Sequence, residues 1–341
     1  MGHLRDPIPT LRSLEIHTEN HNLHTLKLPS GLHEGLFRHL KSLSSNVMFR
    51  GSQTFPYITE LFLCTSGSPY DLLNTLEQLP GLVKVSVVFQ ASWYSETPSP
   101  GIVTLPRVQE IHLRAFAVDE LKRPATIPSI LGFLKLPKAT SITMQSRFPL
   151  DPLYPILPIM SFDERLPNYV QLPELRIDTA LSSIEAVFRG PSQAVLTYKT
   201  GPPYSYKRER RLWGNLPVSS VRRVTAVLVD SVLGDEDVWL VDMLGGLDLL
   251  ELLELGGDCG RVLQRLRRRL VRGIMRINIE TLIVRGGEYA KSQALKLESV
   301  KDDIGLQSMT VTYILDPEAY EAFAQDSDAE SSSDDKDWEE D

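Results

Sequence analysis

Cysteine is nearly absent from this chain: Cys64 and Cys259 are the only two in 341 residues. Two thiols so far apart cannot make a disulfide framework, so the expected setting is a reducing compartment, cytoplasmic or nuclear. Long apolar runs are missing as well. The most apolar region, Val238 to Leu255, is broken by Asp242, Asp248, Glu251 and Glu254, whereas a spanning helix needs about 20 apolar residues in succession. No membrane association is expected. The opening MGHLRDPIPT carries no secretory apolar core, and Asp6 stands where a myristoylation motif has Ser or Thr. An excess of basic charge is lacking too. The formal net charge is −8, and Asp326–Asp341 alone holds nine acids and one lysine. The remaining 35 acids and 35 bases cancel, which leaves no basic field for nucleic acid.

Catalytic signatures are absent from the sequence. There is no G-x-S-x-G elbow, no H-E-x-x-H and no C-x-x-C. The segment LELGGDCGRVLQ reads as strand, glycine turn and helix, which is how phosphate loops begin. Its Gly256, Gly257 and Gly260 fit neither G-x-G-x-x-G nor a Walker loop. A turn with left-handed backbone angles accounts for them, and an enzyme or nucleotide site on the Gly256–Gly260 turn is the alternative. His17, His21 and His24 have helical spacing, but the flanking Asn20 and Asn22 favour a loop, and no cysteine or carboxylate completes a metal set. The expectation is therefore no catalytic residue, no cofactor and no metal.

What the chain does contain is a repeated phrase: apolar, Pro, any residue, apolar, two of any kind, apolar, any, apolar. It starts at Ile8, Phe55, Leu79, Leu105 and Leu136, with spacings of 47, 24, 26 and 31 residues. Its last three apolar positions fit a short strand with one buried face, and the proline presets an extended start to that strand. Copies of the shorter pattern, without the proline position, keep the rhythm at Leu172–Ile177, Val224–Val229, Leu250–Leu255, Ile279–Val284 and Leu306–Val311, and Ala194–Tyr198 is another strand-like run. Near the start, Leu11–Ile16 and Leu23–Leu28 both fit the phrase. They are too close to bracket a helix and two turns, so one of them is expected to be loop.

Apolar stripes at helical spacing lie between the phrases. They are Leu32, Leu36, Leu40 and Leu43; Leu72, Leu73, Leu76 and Leu79; Ile127, Ile130, Leu131 and Leu134; and Val262, Leu263, Leu266 and Leu270. A strand and a helix cannot bury both apolar faces alone, so neighbouring units must stack. A period of 20–30 residues with one strand each predicts an α/β leucine-rich-repeat solenoid, a curved horseshoe with a parallel sheet on the concave face and helices and loops on the convex face. Residues 1–323 form that solenoid, with proline-rich and basic insertions near 148–171 and 200–217. DPEAYEAF (316–323) reads as a short closing helix and 324–341 as an acidic disordered tail.

Arg261, Arg265, Arg267, Arg268, Arg269 and Arg272 fill the face of a helix opposite Val262, Leu266 and Leu270. A solvated face, neutralised by acids such as Asp230, Asp235, Glu236 and Asp237, is the plain interpretation. An acidic partner on this helix, or an RNA site on the Arg261–Arg272 helix and the KRERR segment, is the alternative. In the tail, Ser327, Ser331 and Ser332 each precede an acid by three residues, a spacing that suits an acid-directed kinase.

The succession FPYITELFL or LPRVQEIHL, SILGFLKL and LPKATSITM resembles fungal F-box/leucine-rich-repeat proteins over roughly Ile8 to Leu315. The resemblance implies a substrate-recognition repeat region of a ubiquitin-ligase subunit, or a derived scaffold. The F-box that would dock on the cullin-ligase adaptor is not found ahead of Ile8. Strand alternation places the expected protein contacts on the concave face at Glu60, Phe62, Lys84, Ser86, Glu110, His112, Ser141, Thr143, Glu174 and Arg176.

Overall fold

The computed structural model describes residues 11–17, 25–27, 39–50, 54–65, 69–89, 101–115, 130–131, 133–146, 165–180, 183–200, 220–229 and 236–315. They form an α/β protein built on one large, mostly parallel sheet of 13 strands. In chain order the strands are β1 (Ser13–Ile16), β2 (Thr25–Lys27), β3 (Ser42–Ser45), β4 (Met48–Arg50), β5 (Glu60–Thr65) and β6 (Lys84–Phe89). Next come β7 (Val103–Thr104), β8 (Glu110–Ala115), β9 (Leu134–Lys135), β10 (Ser141–Ser146), β11 (Glu174–Ala180) and β12 (Ser183–Arg189). The last five are β13 (Val195–Thr200), β14 (Arg223–Leu228), β15 (Leu252–Gly257), β16 (Thr281–Gly286) and β17 (Thr310–Leu315). The large sheet runs β1-β3-β5-β6-β8-β10-β13-β12-β11-β14-β15-β16-β17, while β2 pairs with β4 and β7 with β9 separately. Among the described residues the helices are α1 (Pro69–Glu77), α2 (Glu236–Leu244), α3 (Gly260–Val271) and α4 (Glu288–Val300).

The repeated phrase is a tight turn followed by a strand. The N–H of its fourth residue donates to the carbonyl of its first: Ile58 to Phe55 at 3.4 Å, Leu82 to Leu79 at 3.2 Å, Val108 to Leu105 at 3.4 Å and Ala139 to Leu136 at 3.2 Å. Proline is the second residue of that turn, where its fixed φ and missing N–H are favoured. It stands four residues ahead of the strand, as at Pro80 and Lys84, so it shapes the turn and not the extended start of the strand. Both apolar ends of each turn are buried. After the turn, two consecutive N–H groups share one carbonyl of the preceding unit: Val83 and Lys84 donate to Thr59, and Gln109 and Glu110 to Val83. The same fork recurs where Glu251 and Leu252 donate to Arg222, and Glu280 and Thr281 to Glu251.

Alternation then fixes the faces. Leu61, Val85, Ile111 and Ile142 lie in register on neighbouring parallel strands and are buried, as are Leu63, Val87, Leu113 and Met144 two residues on. Leu72, Leu73 and Leu76 of α1, with Leu79 just beyond it, and Val262, Leu263, Leu266 and Leu270 of α3 complete the same core. The stripe from Leu32 behaves differently. Leu43 is in β3, and Leu32 and Leu36 lie outside the described residues. In the stripe from Ile127, Ile130 and Leu131 are buried and Leu134 is in β9, while Ile127 is outside the described residues.

Three expectations are corrected. Leu11–Ile16 and Leu23–Leu28 both contain strands, β1 and β2. They need no complete unit between them, because β2 joins β4 and leaves the large sheet to β3. The second correction concerns order. Leu172–Ile177 leads into β11, but β11 does not lie beside β10. The chain skips two places, turns back through antiparallel β12, and returns along β13 to pair with β10. Third, the end of the stretch read as a loop insertion, 165–171, sends two side chains into the core. Leu166 and Tyr169 are buried, and the Asn168 side-chain amide donates to the Ala139 carbonyl at 2.9 Å. The rest of that insertion (148–164), most of the 200–217 insertion and residues 316–341 lie outside the described residues.

Candidate functional site

The second face of the sheet carries no described helix, and its side chains form rows across the strands. Adjacent strands stand about 4.8 Å apart, so neighbours in a row are within contact distance of each other. One row runs Glu60, Lys84, Glu110, Ser141 and Val195; the next runs Ser44, Phe62, Ser86, His112, Thr143 and Thr197. A third, two residues further along, runs Cys64, Val88, Arg114, Gln145 and Lys199. All ten residues expected as contacts fall on this face, and none of them is buried.

Eight of the ten form one patch over β5, β6, β8 and β10. Glu174 and Arg176 do not join it. They were expected beside Ser141 and Thr143, but β13 and β12 intervene, and their register partners are Arg189 and Val187 on one side and Arg223 and Thr225 on the other. The residues that do flank Ser141 and Thr143 are Val195 and Thr197. The run Ala194–Tyr198 hinted at them, since Ala194, Leu196 and Tyr198 are its buried positions. Lys199, Glu185 and Asp178 also belong to the face, and β12 (Ser183–Arg189) stands outside the repeat rhythm that singled out the other strands.

Charges on this face are matched. Lys84 meets Glu110 at 3.1 Å, Lys199 meets Glu185 at 2.9 Å, and Arg285 meets Glu254 at 2.5 Å. Arg176 and Asp178 pair along one strand through two hydrogen bonds, of 2.8 and 3.0 Å. That hydrogen bonding, with the charges of Asp178, Glu185 and Glu254, holds the Arg176 guanidinium above its ordinary range. The outward positions of the thirteen strands include the bases Lys84, Arg114, Arg176, Arg189, Lys199, Arg223 and Arg285. Against them stand the acids Glu15, Glu60, Glu110, Glu174, Asp178, Glu185 and Glu254. Seven against seven leaves no net field. The row from Ser44 to Thr197 has hydroxyls, the His112 ring and Phe62, which is 45% exposed. Partial burial pushes the Cys64 thiol up, so it stays protonated beside them.

Little here is arranged for bond making. Among the described residues no group of three His, Cys, Asp or Glu side chains could hold a metal. His17 bonds Glu15 at 2.6 Å, and His21 and His24 lie outside the described residues. A shallow depression of about 390 Å³ lies elsewhere, along α4 at Lys291, Leu295 and Ser299. The glycines of the Gly256–Gly260 turn have structural duties. Gly257 has φ +72°, and a Cβ there would sit 1.9 Å from the Leu228 carbonyl oxygen. A Cβ on Gly260 would strike the Tyr289 ring at 2.2 Å. On the arginine helix, Arg269 is ion-paired with Asp242 of α2. Asp230 and Asp235 lie outside the described residues.

No family model, no curated protein and no solved structure matches this chain. Among the described residues no helix is long and apolar enough to cross a membrane.

Proposed function

We propose that the chain is a non-catalytic protein-binding module, a leucine-rich-repeat solenoid whose open sheet face is the concave, partner-facing side. The observation that carries this reading is the set of in-register rows across β5, β6, β8, β10 and β13, mostly polar and at least partly exposed, with Phe62 on β5 and His112 on the middle strand. A surface of that kind selects by shape and hydrogen bonding, with an aromatic side chain as an anchor. Its lack of net charge speaks against a polyanion as the occupant. The repeated turn and forked hydrogen bonds support a stack of equivalent units. The resemblance to F-box/leucine-rich-repeat proteins makes substrate recognition for a ubiquitin ligase, or a derived scaffold, the role we favour. The cullin-ligase adaptor would join only through an F-box supplied with the chain. We place the protein in the cytoplasm or nucleus.

The test is affinity capture from a lysate with the native chain and with Phe62→Ala, His112→Ala and Lys84→Glu variants. A protein captured by the native chain and lost by all three at unchanged melting temperature supports the reading. Undiminished capture by the three variants rejects this face.

A further inference from the structure

We propose that the exposed side of α3 binds the acidic segment Asp326–Asp341 of the same chain, with Trp338 seated on the apolar patch at the helix's end. Between Asp258 and Glu280 there are seven arginines and no acid. Arg261, Arg268, Arg272 and Arg276 are exposed, on the side opposite the buried Val262, Leu266 and Leu270. A helix C-terminus favours cations, which accounts for Arg268 and Arg269 in the last turn. It does not account for Arg261, which stands in a first turn that has no acid, where positive charge is disfavoured. Nor does it account for Val271 and Ile274, 55% and 67% exposed among these guanidinium groups. An apolar spot rimmed by arginines calls for an occupant that is acidic and aromatic together.

The chain supplies one. Its whole excess negative charge lies in Asp326–Asp341, and Trp338 is the one aromatic residue there. Asp334, Asp335 and Asp337 precede Trp338, and Glu339, Glu340 and Asp341 follow it. The stripe from Arg261 to Arg272 is about 16 Å long, a length that some five extended residues cover. Leu315 ends β17 and α3 packs against α4, the helix between β16 and β17. Even with 316–323 helical, the 14 residues 324–337 reach about 45 Å when extended, well beyond the length of the stripe. Such tethering gives an effective concentration on the order of millimolar, enough for weak, salt-screened pairs to hold.

The test uses the full chain with the photo-cross-linker p-benzoylphenylalanine in place of Trp338. Cross-links within one chain to residues 261–276 are expected. The pair Arg261→Glu and Arg268→Glu should lower their yield about tenfold, from the loss of two exposed attractions and their replacement by repulsion. Adding Asp334→Lys, Asp335→Lys and Asp337→Lys to that variant should restore the yield. The restoration separates charge pairing from misfolding. Cross-links elsewhere, cross-links between chains, or a yield indifferent to charge reversal overturn the proposal. So does a native chain retained on single-stranded RNA through Arg261 and Arg268 that gives no cross-link to residues 261–276, since the occupant would then be nucleic acid.

Discussion

The sheet consists of two parallel blocks that solve the same stacking problem differently. In the amino-terminal block the register residues Ser42, Glu60, Lys84, Glu110 and Ser141 are 18, 24, 26 and 31 residues apart. In the carboxy-terminal block Arg223, Leu252, Thr281 and Thr310 stand in register at a constant 29 residues. There β14, β15 and β16 are each followed by a helix: α2, α3 and α4. The first block holds its turns with proline at Pro56, Pro80, Pro106 and Pro137. The second closes the same turn without it, Leu250 donating to Leu247 at 3.2 Å and Met309 to Leu306 at 2.9 Å. Where the register spacing is constant and a helix of 9 to 13 residues fills each connection, the turn needs no stiffening; where the spacing varies, proline supplies it. Between the blocks lies the meander of β11, β12 and β13, the one place where the sheet is antiparallel.

That seam is the first place to break the comparison. Phe188 of β12 is fully buried between the blocks. Phe188→Ala should cost about 3–5 kcal/mol. Stacked units cooperate only through their neighbours, so calorimetry should then resolve two unfolding transitions where the native chain shows one. A single transition lowered as a whole would mean that the blocks do not communicate through Phe188.

Next in size come the close approaches between units. A Cβ on Gly257 would meet the Leu228 oxygen at 1.9 Å, and one on Gly81 the Pro56 oxygen at 2.0 Å. Gly257 alone combines this with a positive φ. Gly257→Ala should therefore lose about 3 kcal/mol, and Gly81→Ala somewhat less, in denaturant unfolding. If Gly81→Ala proves the more damaging, the backbone angle at Gly257 contributes little.

Alkaline pH probes the seam more gently. Tyr169 is buried beside the meander, its hydroxyl donating to the Val195 carbonyl at 3.4 Å, and burial pushes its phenol far up. The folded state therefore binds this proton more tightly than the unfolded chain does. Its stabilisation is complete below the ordinary phenol value near 10 and declines as pH rises above it, by up to about 1.4 kcal/mol per pH unit. Tyr169→Phe should flatten that decline between pH 10 and 11 while changing stability little at pH 7.

These sites also show which parts of the fold were legible. The buried rows through Leu61, Val85, Ile111 and Ile142 could be read from alternation alone, because only one face of those strands meets the core. Strand β3 was hidden in the 47-residue gap because its second inward position is Ser45. Its buried hydroxyl is satisfied locally, donating to the Val47 carbonyl at 2.8 Å and accepting from the Val47 N–H at 3.1 Å. Direction was illegible in principle. SIEAVFR alternates as a parallel strand would, and a period of two carries no information about which neighbour a strand joins. Hence the outward side of Glu174 and Arg176 was readable, and their distance from Ser141 was not.

The smallest effect bears most directly on what proline does. The turns Leu79–Leu82 and Leu247–Leu250 have the same closing bond, 3.2 Å in each, and both apolar ends buried in each. Their second residues are Pro80 and the exposed Asp248. If the backbone at the two positions is equivalent, Asp248→Pro leaves the folded state unstrained and restricts only the unfolded chain. It should then stabilise the protein by about 0.4–1 kcal/mol. Pro80→Ala should lose a similar amount for the same reason. Denaturant midpoints of the two variants, at unchanged m-value, give both numbers. Opposite shifts of similar size would show one turn serving both blocks, with proline as an entropic addition. A loss from Asp248→Pro would show that the carboxy-terminal turn uses backbone angles that proline cannot adopt, and that the helix, not the turn, sets its 29-residue spacing.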